Sequence, residues 1–346
     1  MFTDMLTKEN VLKLFQTTKG RLALIAIAVA LVCPLVFSDN YMLQVLTLIV
    51  IFTIYASSWN LLASSGQGSL GHAAFLGIGG FTSSLLAINL GVPPIFGIFI
   101  AGAVSAGIGL LIGITCVRLK AWFLAMVTFG FAIITETLFS HFDDYTHAIL
   151  GFRTPALLFS ERLPFYYFAV FISIVSVAVI YYIMQSKMGL AFRAIHQNAV
   201  EASMIGINTA KYKLYAFVLS TFFAGLSGAI YAHFLRYINV LVFSADNSFK
   251  PLMMSVIGGL GTIEGPILGS IIMVFIDNVL PAVDPFLNSA LGGLFPAVSN
   301  VGPSIRLVGL GIFLVIVVVF LPHGISSLLR KLDRYVRTNI LKSEKQ

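Results

Sequence analysis

Charge is scarce in this chain. Asp, Glu, Lys and Arg make up 10% of its 346 residues, against about 25% in soluble globular domains. With 58% apolar residues and a mean hydropathy of +0.96, it cannot cover a water-facing surface, which excludes a soluble enzyme. The same figures exclude disorder, which needs low hydrophobicity and high net charge. Two tryptophans are too few for the aromatic girdles of a membrane β-barrel, and the apolar stretches are far longer than strands. Cys33 and Cys116 lie in separate apolar runs and read as small buried hydrophobes, not as a disulfide framework. No Gly-Lys pair occurs, so the phosphate-cradling loop of NTPases is missing. Neither His-Glu-x-x-His nor Cys-x-x-Cys occurs, leaving metal chemistry without support. No basic patch sits on a soluble face, so nucleic acid is excluded as a partner.

What is present is a series of apolar runs at 21–37, 42–63, 69–90, 95–117, 121–140, 164–184, 213–235, 251–280 and 305–322. A spanning helix uses about 20 residues, so an all-α polytopic membrane protein is expected. Lys8, Lys13, Lys19 and Arg21 precede the first run, and six basic residues from Arg330 to Lys345 follow the last. By the positive-inside rule both termini are cytoplasmic, and the first run is read as a retained span, not a signal peptide. The expected division is a cytoplasmic segment 1–20, a membrane domain 21–322 with a polar cytoplasmic loop 185–213, and a basic cytoplasmic tail 323–346. Alternation places Arg118 and Lys120 inside, and Asp143, Asp144 and Glu161 outside.

The eighth run disturbs that count, because one crossing there would put the basic tail outside. It is broken by Gly258, Gly259, Gly261, Gly265 and Pro266, and glycine and proline cost a helix interior about 1 and 3 kcal/mol. A re-entrant pair of half-helices entering from the outside restores the count, giving about eight spans plus one re-entrant element. Irregular backbone at that depth needs protein or a cavity around it. A second glycine-interrupted segment covers 65–80. Such segments in the two halves of a transporter point to the translocation path. Gln67, Ser69, Gly71 and His72, with Gly258, Gly259, Gly261 and Thr262, are therefore the expected path-lining residues.

Of the ionisable residues within runs, Glu136 and Asp277 lie near expected outer ends and read as snorkelling or capping groups, whereas His72 can hydrogen-bond while neutral. One stretch, Gly225-Leu226-Ser227-Gly228 with His233, resembles the Gly-x-Ser-Gly helix of rhomboid intramembrane proteases. That chemistry needs a histidine on a later span facing the serine. His233 lies on the same helix and His323 at the mouth of the last span, so small-residue packing is the preferred reading.

The loop 185–213 contains a short amphipathic helix expected from 190 to 205. Gly206 would cap its C-terminus, and Asn208 the next helix, expected from about Lys211. Its exposed Arg193 and Glu201 suit docking into a groove on a cytoplasmic partner. The segment resembles the coupling region of ABC importer permeases, with Glu201-Ala202-Ser203 and Gly206 similar to their Glu-Ala-Ala…Gly motif at altered spacing. With Gly66–Phe75 and Gly258–Pro266, it resembles the branched-chain amino-acid and urea importer permeases over roughly 40–330, most of all their second permease type.

That resemblance implies several things. Arg193, Ala194, Glu201, Ala202, Gly206 and Asn208 would couple to two ATPase subunits that bind the ATP, this chain holding no cofactor. A related permease and an external binding protein would complete an alternating-access importer in a bacterial inner membrane. Branched-chain or related hydrophobic amino acids are the expected cargo, with urea, amides or other small solutes as the alternative. The outer stretch His147–Pro155 holds one glycine, where the family shows a glycine-rich loop.

Overall fold

A computed structural model describes residues 27–35, 39–116, 118–142, 150–157 and 161–279, with isolated positions between 311 and 327. The helices are α1 (Asn40–Ala63), α2 (His72–Asn89), α3 (Pro94–Cys116), α4 (Ala121–His141), α5 (Arg162–Gln185), α6 (Lys187–Gln197), α7 (Ala199–Met204), α8 (Thr209–Leu235), α9 (Ala245–Gly258) and α10 (Glu264–Val279). A 3-10 turn covers Val240–Phe243. The β-structure among the described residues is one bridge, Phe152 to Ile238. The chain is thus an all-α polytopic protein. The basic flanks, Asp143 and Asp144, and most of the last run lie outside the described residues, while 27–35 of the first run are described and helical.

Five described helices, α1, α3, α4, α5 and α8, are long and apolar enough to cross a membrane. In their most apolar eighteen residues, α1 is 78% and α8 67% buried, against 28–33% for α3, α4 and α5. The outer three turn Leu111, Trp122, Phe123 and Phe171 away from the protein, as lipid-facing helices do. Helix α2, at 18 residues, packs against α8 and α3 inside this ring.

Small residues hold the interior together. A Cβ at Gly79 would strike the backbone of Gly225, and one at Gly228 the carbonyl of Leu76. These glycines bring α2 and α8 into backbone contact. In lipid, helices associate by such close packing, since leaving lipid for protein gains no hydrophobic energy. Gly77, Gly79 and Gly80 therefore do not interrupt α2. The expected break over 65–80 shrinks to an irregular corner at 64–71, before the helix begins. Trp59 Nε1 donates to the Ser69 carbonyl at 2.8 Å and Leu70 N to Thr128 Oγ1 at 3.2 Å, fixing that corner.

Helices α9 and α10 form the hairpin expected from the eighth run, beginning earlier, at Ala245. Lys250 on α9 pairs with Asp277 on α10 at 3.6 Å, and Tyr41 Oη donates to the Asn278 carbonyl. The α10 end of the hairpin thus lies beside the Asn40 end of α1, while the start of α9 meets α1 at Tyr55, whose Oη donates to the Asn247 carbonyl. The turn, where Gly258 meets the Gly265 carbonyl, reaches Asn60 near the other end.

The expected single helix at 190–205 is two helices. Asn198 leaves helical geometry at φ −156°, ψ 109°, ending α6. Its side chain then accepts from Val200 N and Glu201 N and donates to Glu201 Oε1 at 2.6 Å, starting α7. This reciprocal cap competes well with continued helix, because it satisfies orphan N–H groups that α7 would otherwise leave open. The following helix also starts earlier than expected, at Thr209.

Candidate functional site at the glycine corners of helix α1

Helix α1 carries a buried polar stripe: Thr53, Ser57, Ser58 and Asn60 are each at most 8% exposed. Two of these residues bind the two glycine-rich segments. Ser58 contacts His72 in the first corner, and Asn60 holds the hairpin turn. Of the expected path residues, Ser69, His72, Gly261 and Thr262 therefore meet neighbouring positions of α1, at Trp59, Ser58 and Asn60.

At the first corner, the Ser58 hydroxyl donates to the Tyr55 carbonyl at 2.6 Å and lies 2.9 Å from His72 Nε2. With that proton on the Tyr55 carbonyl, Nε2–H would donate to Ser58 and Nδ1 would be left as an acceptor. His72 Nδ1 and Ser69 Oγ are both buried without a hydrogen-bond partner. The imidazole lies between the rings of Tyr55 and Phe75, at centroid distances of 5.4 and 6.1 Å. Gln67 accepts from Ser65 Oγ at 3.1 Å, and Gly71 rests on the Thr128 carbonyl of α4.

At the second corner, Asn60 Nδ2 donates to the Thr262 carbonyl at 2.7 Å, and Gly261 N donates to Asn60 Oδ1 at 2.8 Å. The amide so satisfies two backbone groups that the broken helix leaves open. Thr262 Oγ1 donates to the Gly259 carbonyl at 2.8 Å and accepts from Gly265 N, opening α10. Gly259 and Gly261 have φ of 125° and 69°, where other residues are strained. A Cβ on Gly261 would meet nothing within 4 Å. Its requirement is one of turn geometry and not of close approach. A cavity of about 10 Å³, room for about one water, lies beside the turn, bounded by Ser57, Asn60, Met184, Gly261, Thr262 and Pro266.

Sequence reasoning passed over Asn60 and Lys250. An amide inside an apolar run was a readable signal for the first. Lys250 sits one position before the eighth run. It pairs with Asp246 at 2.9 Å and Asp277 at 3.6 Å, so Asp277 takes part in an ion cluster instead of snorkelling alone. Glu136 on α4 is half-buried.

The α6–α7 crook lies against the first corner: Gly66, at φ 73°, packs on the backbone of Ile195 and His196. Ser186 caps α6 by accepting from Met188 N. Phe192 and Ile195 are buried toward the bundle, whereas Val200, Met204 and Ile205 are 64%, 80% and 75% exposed. Arg193 is exposed and Ala194 half-buried. Ala202 is buried, and Glu201 is engaged in the Asn198 cap. Gly206 ends α7 at φ 87°, with Ile207 N on the Ala202 carbonyl, and Asn208 Oδ1 accepts from Lys211 N. Both caps stand as expected.

Ser227 donates to the Ala224 carbonyl of its own helix at 2.7 Å. His233 is held by Ser83 Oγ and the Pro155 carbonyl, each at 2.8 Å. This is helix packing, and nothing supports the protease reading; His323 lies outside the described residues.

The family model described as "Branched-chain amino acid transport system / permease component" matches residues 41–318. The high-affinity branched-chain amino acid transport system permease protein LivM of Escherichia coli K12 is 26% identical over 308 residues, 80% of this chain and 72% of its own. LivH of Salmonella typhimurium is 33% identical over 97 residues, 28% of this chain and 31% of its own. The autoinducer 2 import system permease protein LsrC of Yersinia pestis is 31% identical over 101 residues, 28% and 29% of the two chains. No solved structure matches. With its membrane helices, its two glycine corners on α1 and its capped crook, the chain belongs to the branched-chain amino acid ABC transporter permease family.

Proposed function

We propose that this chain is one of two permease subunits of an ATP-driven importer for branched-chain or related hydrophobic amino acids, working by alternating access. A related permease, two ATPase subunits and an external binding protein complete the complex. The chain lies in the inner membrane with both termini cytoplasmic, so the Asn40 end of α1 faces out and the crook faces in. ATP is bound and hydrolysed by the partner subunits.

The observation that carries this reading is the crook. It presents Val200, Met204 and Ile205 to solvent on a short, doubly capped element while resting on the Gly66 corner. Three exposed apolar side chains on so short a projection suit a groove on a partner. Closure of the ATPases would push the crook, Gly66 would pass the motion to the His72 corner, and Asn60 would carry it to the hairpin turn.

The test is uptake and ATPase activity of the reconstituted complex carrying Arg193→Glu or Gly206→Val. Both variants should leave expression and spans intact and lose substrate-stimulated hydrolysis together with uptake. Arg193→Glu should also weaken ATPase association. Wild-type transport by a complex that still co-purifies with its ATPases would overturn the assignment.

A further inference from the structure

The route proposed above enters through Gly66, yet the crook has a second attachment, the covalent one to α5. Ser186 joins the two helices and caps α6. A Cβ on Gly189 would overlap the Met184 carbonyl, so the first turn of α6 rests directly on the backbone of Met184, the last residue but one of α5. Met184 is itself buried, in an apolar cluster shared with Leu61 of α1 and Phe192 of α6. Its Sδ lies 3.3 Å from Ser64 Oγ, at the start of the first corner. It also borders the cavity of about 10 Å³ beside the hairpin turn, whose lining includes Thr262 and Pro266. One side chain thus stands at the crook, the first corner and the second.

Val177, Ile180 and Met184 follow one another along one face of α5 and line the cavity together. The first two are β-branched and stiff at χ1. Met184 is unbranched, with three rotatable bonds and a thioether that adapts to irregular space. Protein interiors are otherwise close-packed, so space beside the one pliable side chain of the α5 wall is room for it to move. We propose that Met184 is a positioning residue for the transport step. Movement of the crook turns the end of α5, and the Met184 side chain passes from Ser64 into the space at the hairpin turn, where it displaces Thr262 and Pro266. The inference rests on the importer reading and gives the crook a direct route to the turn, alongside the one through α1.

The test uses the complete importer in proteoliposomes, with tritiated leucine as the probe and uptake per ATP hydrolysed as the readout. Met184→Ile nearly keeps the volume but stiffens χ1. It should lower that ratio about tenfold while the complex assembles and melts as wild type does. Met184→Leu, still unbranched at Cβ, should stay within about twofold. A merely structural residue would change the ratio in neither variant, or only in step with thermal stability, and either result would overturn the proposal. A second measurement does not depend on how Met184→Ile folds. In a Cys33→Ser, Cys116→Ala background, Met184→Cys and Thr262→Cys are joined by a short thiol crosslinker. The yield should rise by about twofold or more when ATP and vanadate trap the ATPases. An unchanged yield in a complex that imports leucine would overturn the proposal and leave the importer reading standing. A wild-type complex without ATP-driven leucine uptake would overturn both.

Discussion

The two segments share a richness in glycine and, at their key positions, use it for different physical ends. In the first, Gly71 and Gly79 let backbones touch: a Cβ on Gly71 would overlap the Thr128 carbonyl, and one on Gly79 the Gly225 backbone. The helix that follows is unbroken. In the second, Gly259 and Gly261 supply positive φ for a turn between two half-length helices. Each segment also holds the other kind, Gly66 at φ 73° in the first and Gly258 against the Gly265 carbonyl in the second, so the contrast lies at Gly71 and Gly79 against Gly259 and Gly261. The segments are joined through α1, where Ser58 and Asn60 bind one corner each.

Gly71→Ala against Gly261→Ala breaks or upholds this contrast most sharply. Alanine at Gly71 should displace α4 from the loop corner and abolish uptake, by steric overlap against rigid backbone. Alanine at Gly261 meets no atom and should cost about 1 kcal/mol for its left-handed backbone, with Gly261→Asn milder still. Equal effects in paired uptake and thermal-melting measurements would refute the distinction. Next in size is Asn60→Leu, which strands the Gly261 N–H and the Thr262 carbonyl and should destabilise the turn by about 1–3 kcal/mol. A fall in uptake with the hairpin newly open to protease is expected; an unchanged digestion pattern would argue against the amide as its clamp. Smallest is Ser227→Ala. Its hydroxyl bonds only the carbonyl of its own helix, so stability should change by less than about 0.5 kcal/mol and uptake should stay within twofold. A large loss would reopen a chemical role for that serine.

What the sequence made legible divides along the same line. Gly206 and Asn208 were readable because capping chemistry acts over a few adjacent residues. The break of the eighth run into a helix hairpin was readable because charge alternation failed without it. The break at Asn198 was written in Asn198-Ala199-Val200-Glu201, a capping pattern that the apolar periodicity of 190–205 overrode. The confinement of the first break to 64–71 was not readable, since it depends on which glycines face Gly225 and Leu76 across the bundle. Asn60 escaped because its partner, Gly261, lies 201 residues away. Lys250 escaped because its place at a run's edge resembles any flanking lysine until α10 brings Asp277 beside it.

The central claim, that the crook is where ATP-driven motion enters this subunit, is tested most directly by a photo-crosslinker at Met204. This position is 80% exposed, so the label fits without disturbing the fold. Irradiation of the assembled complex in its membrane should give an adduct of this chain with an ATPase subunit, its yield changing when ATP is added. An adduct with lipid alone, at a yield indifferent to nucleotide, would contradict the account.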